Sequence, residues 1–589
     1  MDLPRKEYPR PQFERKEWIN LNGEWSCEFD WSRSGEEKDW QNCTGFERKI
    51  TVPFCPESKL SGIGLTDFIE VMWYQRYIEI PADWNGKKVL LHFGGVDYKS
   101  TVYLDGAIVG RHTGGSSPFT VDLTGKVTAG KKHNLVLKAE DYLRDGLQAG
   151  GKQSLRLKSA ACSYTRTTGI WRTVWLEAVD EKALKQCRII PDYDNGAFTF
   201  MPEFYNNIRG VEFEAAIFEE DKKVASRRVK ASPGASVTLE LANPREWNPV
   251  TPFLYNVKYT VYDKNGAVID QVESYAGLRK IHLENGRFYL NNKEIFLRMV
   301  LDQGFYEDGI WTAPDDEALK RDIMLAKKAG FNGARLHQKV FDERFLYWAD
   351  HLGYVLWGEF PNWGMSFWQH FRPANPDYMT SFRTLFSEWA SVVERDFNHP
   401  SIITWCPLNE TSRTYNFDEH RRLVCDLYVL THQLDSTRPV CDTSGFVHCK
   451  TDIWSVHSYC QSVEELKNAI ETEPVFCYSQ ELELEVWNGQ PYFAGEYGGV
   501  SYLPEDRKPF ADNTWGYNKE KLTCNEALQR IIDLTGYLVS NPRIAGYCYT
   551  QLTDIEQEQN GIYNYDRTTK FDEEKVFKCF SQKPDWSVF

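Results

Sequence analysis

The chain has 589 residues, 42% hydrophobic and 26% charged, which are globular values in a protein too long for one core, so about two to four domains are expected. A formal net charge of -15 argues against nucleic acid or an anionic membrane as the main partner, because both reward clustered Lys and Arg, and points to a small substrate instead. The 20 Trp, 31 Tyr and 34 Phe supply flat faces for large cores and, in a minority, for stacking on sugar rings.

The first residues, Met1 to Glu7, lack the apolar core of a signal peptide, and no later apolar run approaches the length that spans a bilayer. A soluble, cytoplasmic protein is expected, with no membrane partner. From residue 1 to about 182 short alternating runs are punctuated by Gly, Asp and Asn: Thr101-Val102-Tyr103-Leu104 stops at Asp105-Gly106 and resumes at Ala107-Ile108-Val109. That is a hairpin signature, and its recurrence predicts a β-sandwich. Residues 183–280 keep the strand rhythm in a shorter module, with Val211 to Ile217 and Tyr255 to Val261 alternating cleanly, which predicts an immunoglobulin-like sandwich.

The rhythm changes in residues 281–589. Pro314 to Glu317 opens a helix with Leu319, Ile323 and Ala326 on one face and Gly330 as its stop. Phe331 to His337 reads as a strand, Asp342 to Gly353 as a helix and Tyr354 to Glu359 as a strand, with further strands predicted at 401–408, 453–459, 491–496 and 544–550. Strand-helix alternation over this length predicts a TIM (β/α)8 barrel. The fourteen Cys lack Cys-x-x-Cys spacing and are read as reduced thiols. Metal, dinucleotide and phosphate-loop patterns are absent, so neither a metal nor a cofactor is expected. The oligomeric state is left open, a homo-oligomer included.

In such a barrel chemistry gathers where the strands end. The predicted exits carry Asp302, Arg335 with His337, Glu359, Asn409 with Glu410, His457 with Tyr459, Glu496, and Tyr549 with Asp554. Two carboxylic acids on one rim are the tools of glycoside hydrolysis, one protonating the departing oxygen and one staying ionised. Asn409 beside Glu410 suits a hydrogen bond to the sugar 2-hydroxyl.

These residues carry a resemblance covering nearly the whole chain. Phe93-Gly94-Gly95-Val96-Asp97-Tyr98 and Gly169-Ile170-Trp171-Arg172 resemble the sugar-binding-like jelly roll of glycoside hydrolase family 2, which includes β-galactosidases, β-glucuronidases and β-mannosidases. Trp247-Asn248-Pro249 is similar to its immunoglobulin-like module. Asn398-His399-Pro400 leading to Asn409-Glu410 resembles its acid/base signature, and Gly495-Glu496-Tyr497-Gly498 its nucleophile signature.

The resemblance implies a retaining exo-acting β-glycosidase with Glu410 as acid/base and Glu496 as nucleophile. It further implies that Tyr459 hydrogen-bonds the nucleophile, that Arg335 orients it, and that Asp302, Glu359 and Tyr549 line the sugar subsite. The Asn-x-Lys element by which known β-glucuronidases hold the sugar carboxylate is missing, and Glu558-Gln559-Asn560-Gly561 stands in its place. Arg335, His337 and Lys339 occupy alternate positions, so continued strand geometry would aim all three at the subsite. Lys339 would then favour a uronic acid, which leads to the expectation of a β-hexuronide, galacturonide before glucuronide. A neutral β-galactoside is the alternative, and a non-catalytic carbohydrate-binding protein the alternative from another class.

Overall fold

The computed structural model describes residues 3–589 apart from 207, 366–377, 412–416, 472–484 and 512. The first sandwich is a jelly roll that stacks a four-stranded sheet on a six-stranded one. Trp25, Tyr74, Leu91, Phe93, Leu137 and Leu176 interdigitate between them. The predicted hairpin is present: strands Lys99–Leu104 and Ala107–Thr113 pair antiparallel, and the turn sits at Asp105 (φ 49°) and Gly106 (φ 81°). A Cβ on Gly106 would fall 1.9 Å from the Asn42 Oδ1 atom, so the turn needs glycine for space as well as for its positive φ.

The second sandwich is immunoglobulin-like, with a three-stranded and a four-stranded sheet around Phe198, Phe200, Phe213 and Tyr259. The expected junction near 182 falls between strands Val174–Val179 and Leu184–Asp192. That near 280 falls between Val268–Ala276 and Ile281–Glu284. A small three-stranded sheet, Ile281–Glu284, Arg287–Leu290 and Lys293–Ile295, then precedes the barrel. Its Phe288, Leu290 and Ile295 join the barrel-interior residues Met299, Trp357, Ile403 and Phe493 in one apolar cluster, closing the end opposite the site.

Seven barrel strands run parallel: Leu297–Asp302, Gly333–Leu336, Val355–Glu359, Ile402–Cys406, Trp454–Ser458, Tyr492–Gly498 and Ile544–Thr550. The eighth position is filled by residues 439–444. Trp405 and Asn409 bridge in parallel to Val440 and Ser444, and the Asp452 N–H returns to the Val440 carbonyl at 3.0 Å. Pro439 and the polar run Asp442-Thr443-Ser444 hide this stretch from a search for apolar strands. The helix Asp316–Ala329 starts on Asp315, whose side chain accepts from the Ala318 N–H, and ends on Gly330 at φ 104°, as its capping residues predict.

Along each strand alternate residues face the barrel interior. Leu301, Trp357 and Cys548 belong to the inner cluster, while Val300, Ala334, Leu336, Leu356 and Tyr549 pack outward against the helices.

Glu388, on the helix Tyr378–Asp396, ties this helical layer to the jelly roll. Its carboxyl accepts from the Tyr98 hydroxyl and the Ser116 N–H, each at 3.2 Å. Burial pushes its pKa up to about 8. An acid raised in the fold is protonated there while the unfolded chain is ionised, so its stabilising contribution is present below pH ~4.3 and is lost as pH rises toward 8. Glu388→Gln is therefore expected to raise Tm at pH 8 relative to wild type by roughly 2 to 4 °C and to do little at pH 4.5. Thermal melts at the two pH values check this; an equal shift at both would refute it.

Candidate active site

Ile402–Cys406 is buried on both faces, as a strand between neighbours inside a barrel must be. After Pro407 the chain leaves the sheet and places Asn409 and Glu410 at the barrel mouth. Glu410 is held at φ 48°, a left-handed conformation costly for a residue with a side chain and typical of functional sites. Its N–H donates to the Ser444 carbonyl at 2.9 Å.

Glu410 and Glu496 converge on one imidazole. His457 Nδ1 lies 2.7 Å from Glu410 Oε1 and 3.5 Å from Glu496 Oε1, and Nε2 lies 3.0 Å from Ser444 Oγ. The ligand atoms of Glu410, His457 and Glu496 all lie within 4.8 Å of one another. Among the described residues no other group of His, Cys, Asp and Glu is close enough to share a metal ion. Here the positive charge is already supplied by Arg335, whose Nη1 donates to Glu496 Oε1 at 3.0 Å.

Arg335 is fully buried and organises the floor. Nε donates to Glu359 Oε2 at 2.6 Å, Nη2 to Asn409 Oδ1 at 2.5 Å, and Nη1 also to the Gly495 carbonyl at 2.9 Å. Glu359 in turn accepts the Gln338 N–H at 3.0 Å and lies 3.0 Å from His337 Nδ1. Burial opposes ionisation of Glu359, but Arg335 and His337 outweigh it and hold the carboxyl down at about 2. The same contest is won more decisively at Glu496: against burial, His457, Arg335, His337 and Lys152 hold it far below the usual carboxylate range. The Tyr459 hydroxyl donates to Glu496 Oε2 and lies 3.1 Å from Thr550 Oγ1.

Asn409 has its amide oxygen on Arg335 while its amide nitrogen, fully buried, has no partner among the described residues. An orphaned buried donor costs about 1–3 kcal/mol, and a substrate hydroxyl at that point would satisfy it. The Trp363 indole N–H donates to the Asn409 carbonyl at 3.3 Å, forming one wall. Tyr517 forms another, stacked on Tyr459 with ring centroids 3.4 Å apart.

Three expected site residues lie elsewhere. Asp302 and Tyr549 are each one position out of phase with the residues that face inward. Asp302 points into the helical layer, where its Oδ1 accepts the Gly304 N–H at 2.9 Å, and burial with neighbouring Asp322 pushes its pKa up to about 7. Tyr549 packs against Tyr497 and Phe580. The inward-facing neighbours are Gln303, whose Nε2 donates to Gln551 Oε1 at 2.6 Å and to the Tyr164 hydroxyl at 3.0 Å, and Thr550. Lys339 fails for another reason. The strand ends at Leu336 and Gln338 turns left-handed at φ 50°, so the alternation stops and Lys339 is redirected. Its Nζ donates to the carbonyls of Gly304 and Trp311 at 2.5 and 2.7 Å.

Sequence reasoning missed what the jelly roll adds. Residues 141–168, between the strands Lys132–Glu140 and Gly169–Ile170, reach across the barrel mouth. Gly150 and Gly151 donate to the Trp363 carbonyl at 2.7 and 3.0 Å, and Trp515 and Gln557 donate to the Ala161 carbonyl at 2.8 and 2.6 Å. The Tyr164 hydroxyl donates to Glu558. This stretch brings Lys152 beside Trp363, with Nζ 4.0 Å from the ring centroid. The available signal was its length, since connections beyond ~12–15 residues are usually functional.

Two carboxylates from separate strands, meeting at the mouth of a (β/α)8 barrel with one of them held ionised by a buried arginine, define a glycoside hydrolase. Comparison with known proteins gives the family. Family models described as glycosyl hydrolases family 2, sugar binding domain, as glycosyl hydrolases family 2, and as glycosyl hydrolases family 2, TIM barrel domain, match residues 65–179, 205–279 and 281–502 respectively. The chain belongs to glycoside hydrolase family 2.

A β-glucuronidase of Paenibacillus borealis is 23% identical over 594 residues, covering 94% of this chain and 95% of that relative. A β-galactosidase of Thermoanaerobacter pseudethanolicus is 25% identical over 448 residues, and the match spans 74% of this chain but only 55% of that longer protein. Among solved structures, a β-glucuronidase of Ruminococcus gnavus in complex with D-glucuronic acid superposes with a TM-score of 0.79 at 19% identity, covering 98% of this chain and 100% of that one. The homologues support a β-glycosidase.

Proposed function

We propose that the protein is a retaining exo-β-glycosidase that removes terminal β-hexuronides from small glycosides, glucuronide before galacturonide. The observation that carries the retaining mechanism is the approach of Glu410 and Glu496 around His457, their nearest oxygens within 4.8 Å. Retaining enzymes hold their carboxyl groups ~5–5.5 Å apart, whereas inverting ones leave ~6.5–9.5 Å for a water.

Glu496, ionised and fixed by Arg335 and Tyr459, attacks the anomeric carbon while Glu410 protonates the departing oxygen, giving a covalent glycosyl-enzyme. Glu410 then takes a proton from water as that water attacks the same carbon, and Glu496 is released. Asn409 donates to the 2-hydroxyl with its orphaned amide. The jelly-roll loop and Tyr517 wall the mouth on two sides, which suits a terminal sugar.

The uronide expected from sequence rested on Lys339, which is committed to backbone carbonyls, and the order galacturonide before glucuronide rested on the missing Asn-x-Lys element. The similarity to proteins named β-glucuronidase favours glucuronide. A neutral β-galactoside is the second reading, favoured by the relative named β-galactosidase. The carbohydrate-binding alternative has lost its basis, since family and site both define a hydrolase. The test is a panel of nitrophenyl β-glycosides at neutral pH, with the first-formed sugar followed by NMR. Highest kcat/KM on the glucuronide and initial release of the β-anomer are expected. Initial α-anomer would overturn the retaining mechanism, and a preference for galactoside would overturn the substrate.

A further inference from the structure

We propose that Lys152, delivered by the jelly roll, is the residue that reads the carboxylate of the sugar; this rests on the hexuronide reading above. Its position is built into the fold. The Lys152 carbonyl accepts the Tyr164 N–H at 2.7 Å. Next to it, Gln153 donates to Asp97 Oδ2 at 2.8 Å and accepts the Thr167 N–H at 2.8 Å. On the other side Gly151, at φ 56°, is pressed so closely onto the barrel that a Cβ would fall 2.4 Å from the Gln338 carbonyl oxygen. The backbone on both sides of Lys152 is thus fixed, one flank to the sandwich and the other to the barrel.

The residue is 7% exposed, and its ammonium lies over Trp363, whose indole holds the Asn409 carbonyl. Among the described residues, Nζ has neither a hydrogen-bond partner nor an ion-pair partner. A buried ammonium without acceptors is costly unless something completes its shell. Burial opposes its charge, but the field of Cys162, Glu558, Glu410 and Glu496 outweighs burial and keeps the ammonium charged, and none of the three carboxylates pairs with it. Lys339 has its acceptors; among the described residues Lys152 has its donors free, and it faces the reacting carboxylates.

Glu558 is the opposing consideration, because an anion there would repel a uronate. Its two oxygens already accept from the Tyr164 hydroxyl and from Asn560 Nδ2 at 3.0 Å, and burial raises its pKa against the opposing pull of Lys152 and those two donors. A substrate carboxylate therefore meets, among the described residues, a cation with free donors and an acid whose oxygens are already engaged. It gains charge-assisted hydrogen bonds that a neutral hydroxymethyl group cannot match.

The experiment compares wild type, Lys152→Met and Lys152→Arg on nitrophenyl β-glucuronide, β-galacturonide, β-glucoside and β-galactoside, with inhibition by free glucuronate and glucose measured in parallel. The methionine variant is expected to lose about 10- to 100-fold more kcat/KM on each uronide than on the matching neutral sugar, with arginine restoring part of the difference. Glucuronate inhibition should weaken by a similar factor while glucose inhibition does not. Parallel losses on charged and neutral sugars would overturn the proposal and leave Lys152 a positioning residue for the loop. If wild type prefers neutral sugars, the substrate reading fails by itself. The inhibition arm still decides the lysine: glucuronate that competes equally with wild type and Lys152→Met refutes it. Should the methionine variant fail to fold, Lys152→Gln carries the same comparison.

Discussion

Glu496→Ala is expected to lower kcat by at least ~10⁴-fold on every substrate, because the covalent route loses its nucleophile. The deletion leaves a cavity beside a cationic floor: Arg335 Nη1 loses its carboxylate acceptor at 3.0 Å and keeps the Gly495 carbonyl, and the Tyr459 hydroxyl loses its carboxylate. A small anion fits both the space and the charge. Azide should restore part of the turnover on an activated aryl glycoside, and the product should be the α-glycosyl azide, since a single displacement inverts the anomeric centre. NMR of the product decides: a β-configured azide, or no rescue in a folded variant, would remove Glu496 from the nucleophile's position.

Glu410→Ala separates substrates by their leaving groups. A dinitrophenolate departs with little help, so the glycosylation step should survive on it, while poor leaving groups such as methanol should lose the ~10²- to 10⁴-fold that general acid catalysis supplies. Azide should again accelerate release, here by intercepting the glycosyl-enzyme and giving a β-glycosyl azide, the opposite anomer from the Glu496 variant. The measurement is the dependence of kcat/KM on leaving-group pKa. An unchanged slope would show that Glu410 is not the acid. His457 Nδ1, 2.7 Å from Glu410 and 3.5 Å from Glu496, would be left with one carboxylate instead of two.

The three-part architecture was legible because strand alternation, hairpin turns and strand-helix alternation are local patterns that survive in sequence. Glu410, Glu496, Asn409, Arg335, His337, Glu359 and Tyr459 were legible as candidates because each lies at or within a few residues of the end of an apolar strand. The structure gathers all seven into one hydrogen-bonded and ion-paired network. What failed did so for identifiable reasons. Asp302 and Tyr549 are one residue out of phase, and with a period of two a shift of one reverses the face. No apolar alternation marks which residue at a polar strand end is the inward one. Lys339 depended on strand geometry continuing past Leu336, where a left-handed Gln338 ends it. Lys152 lies in a polar connection without periodicity, more than two hundred residues before the acids it faces, and only the folded chain brings them together.

That connection makes the jelly roll a part owner of the reaction chamber. Any ligand that closes onto Lys152 and the barrel floor together binds only the state in which the two domains are docked. By mass action it then stabilises their junction by RT ln(1 + [L]/Kd). Occupancy of the chamber is therefore a quaternary-like bond within one chain: the sugar acts as mortar between two folded bodies. Anything that loosens their contact must first work against substrate binding.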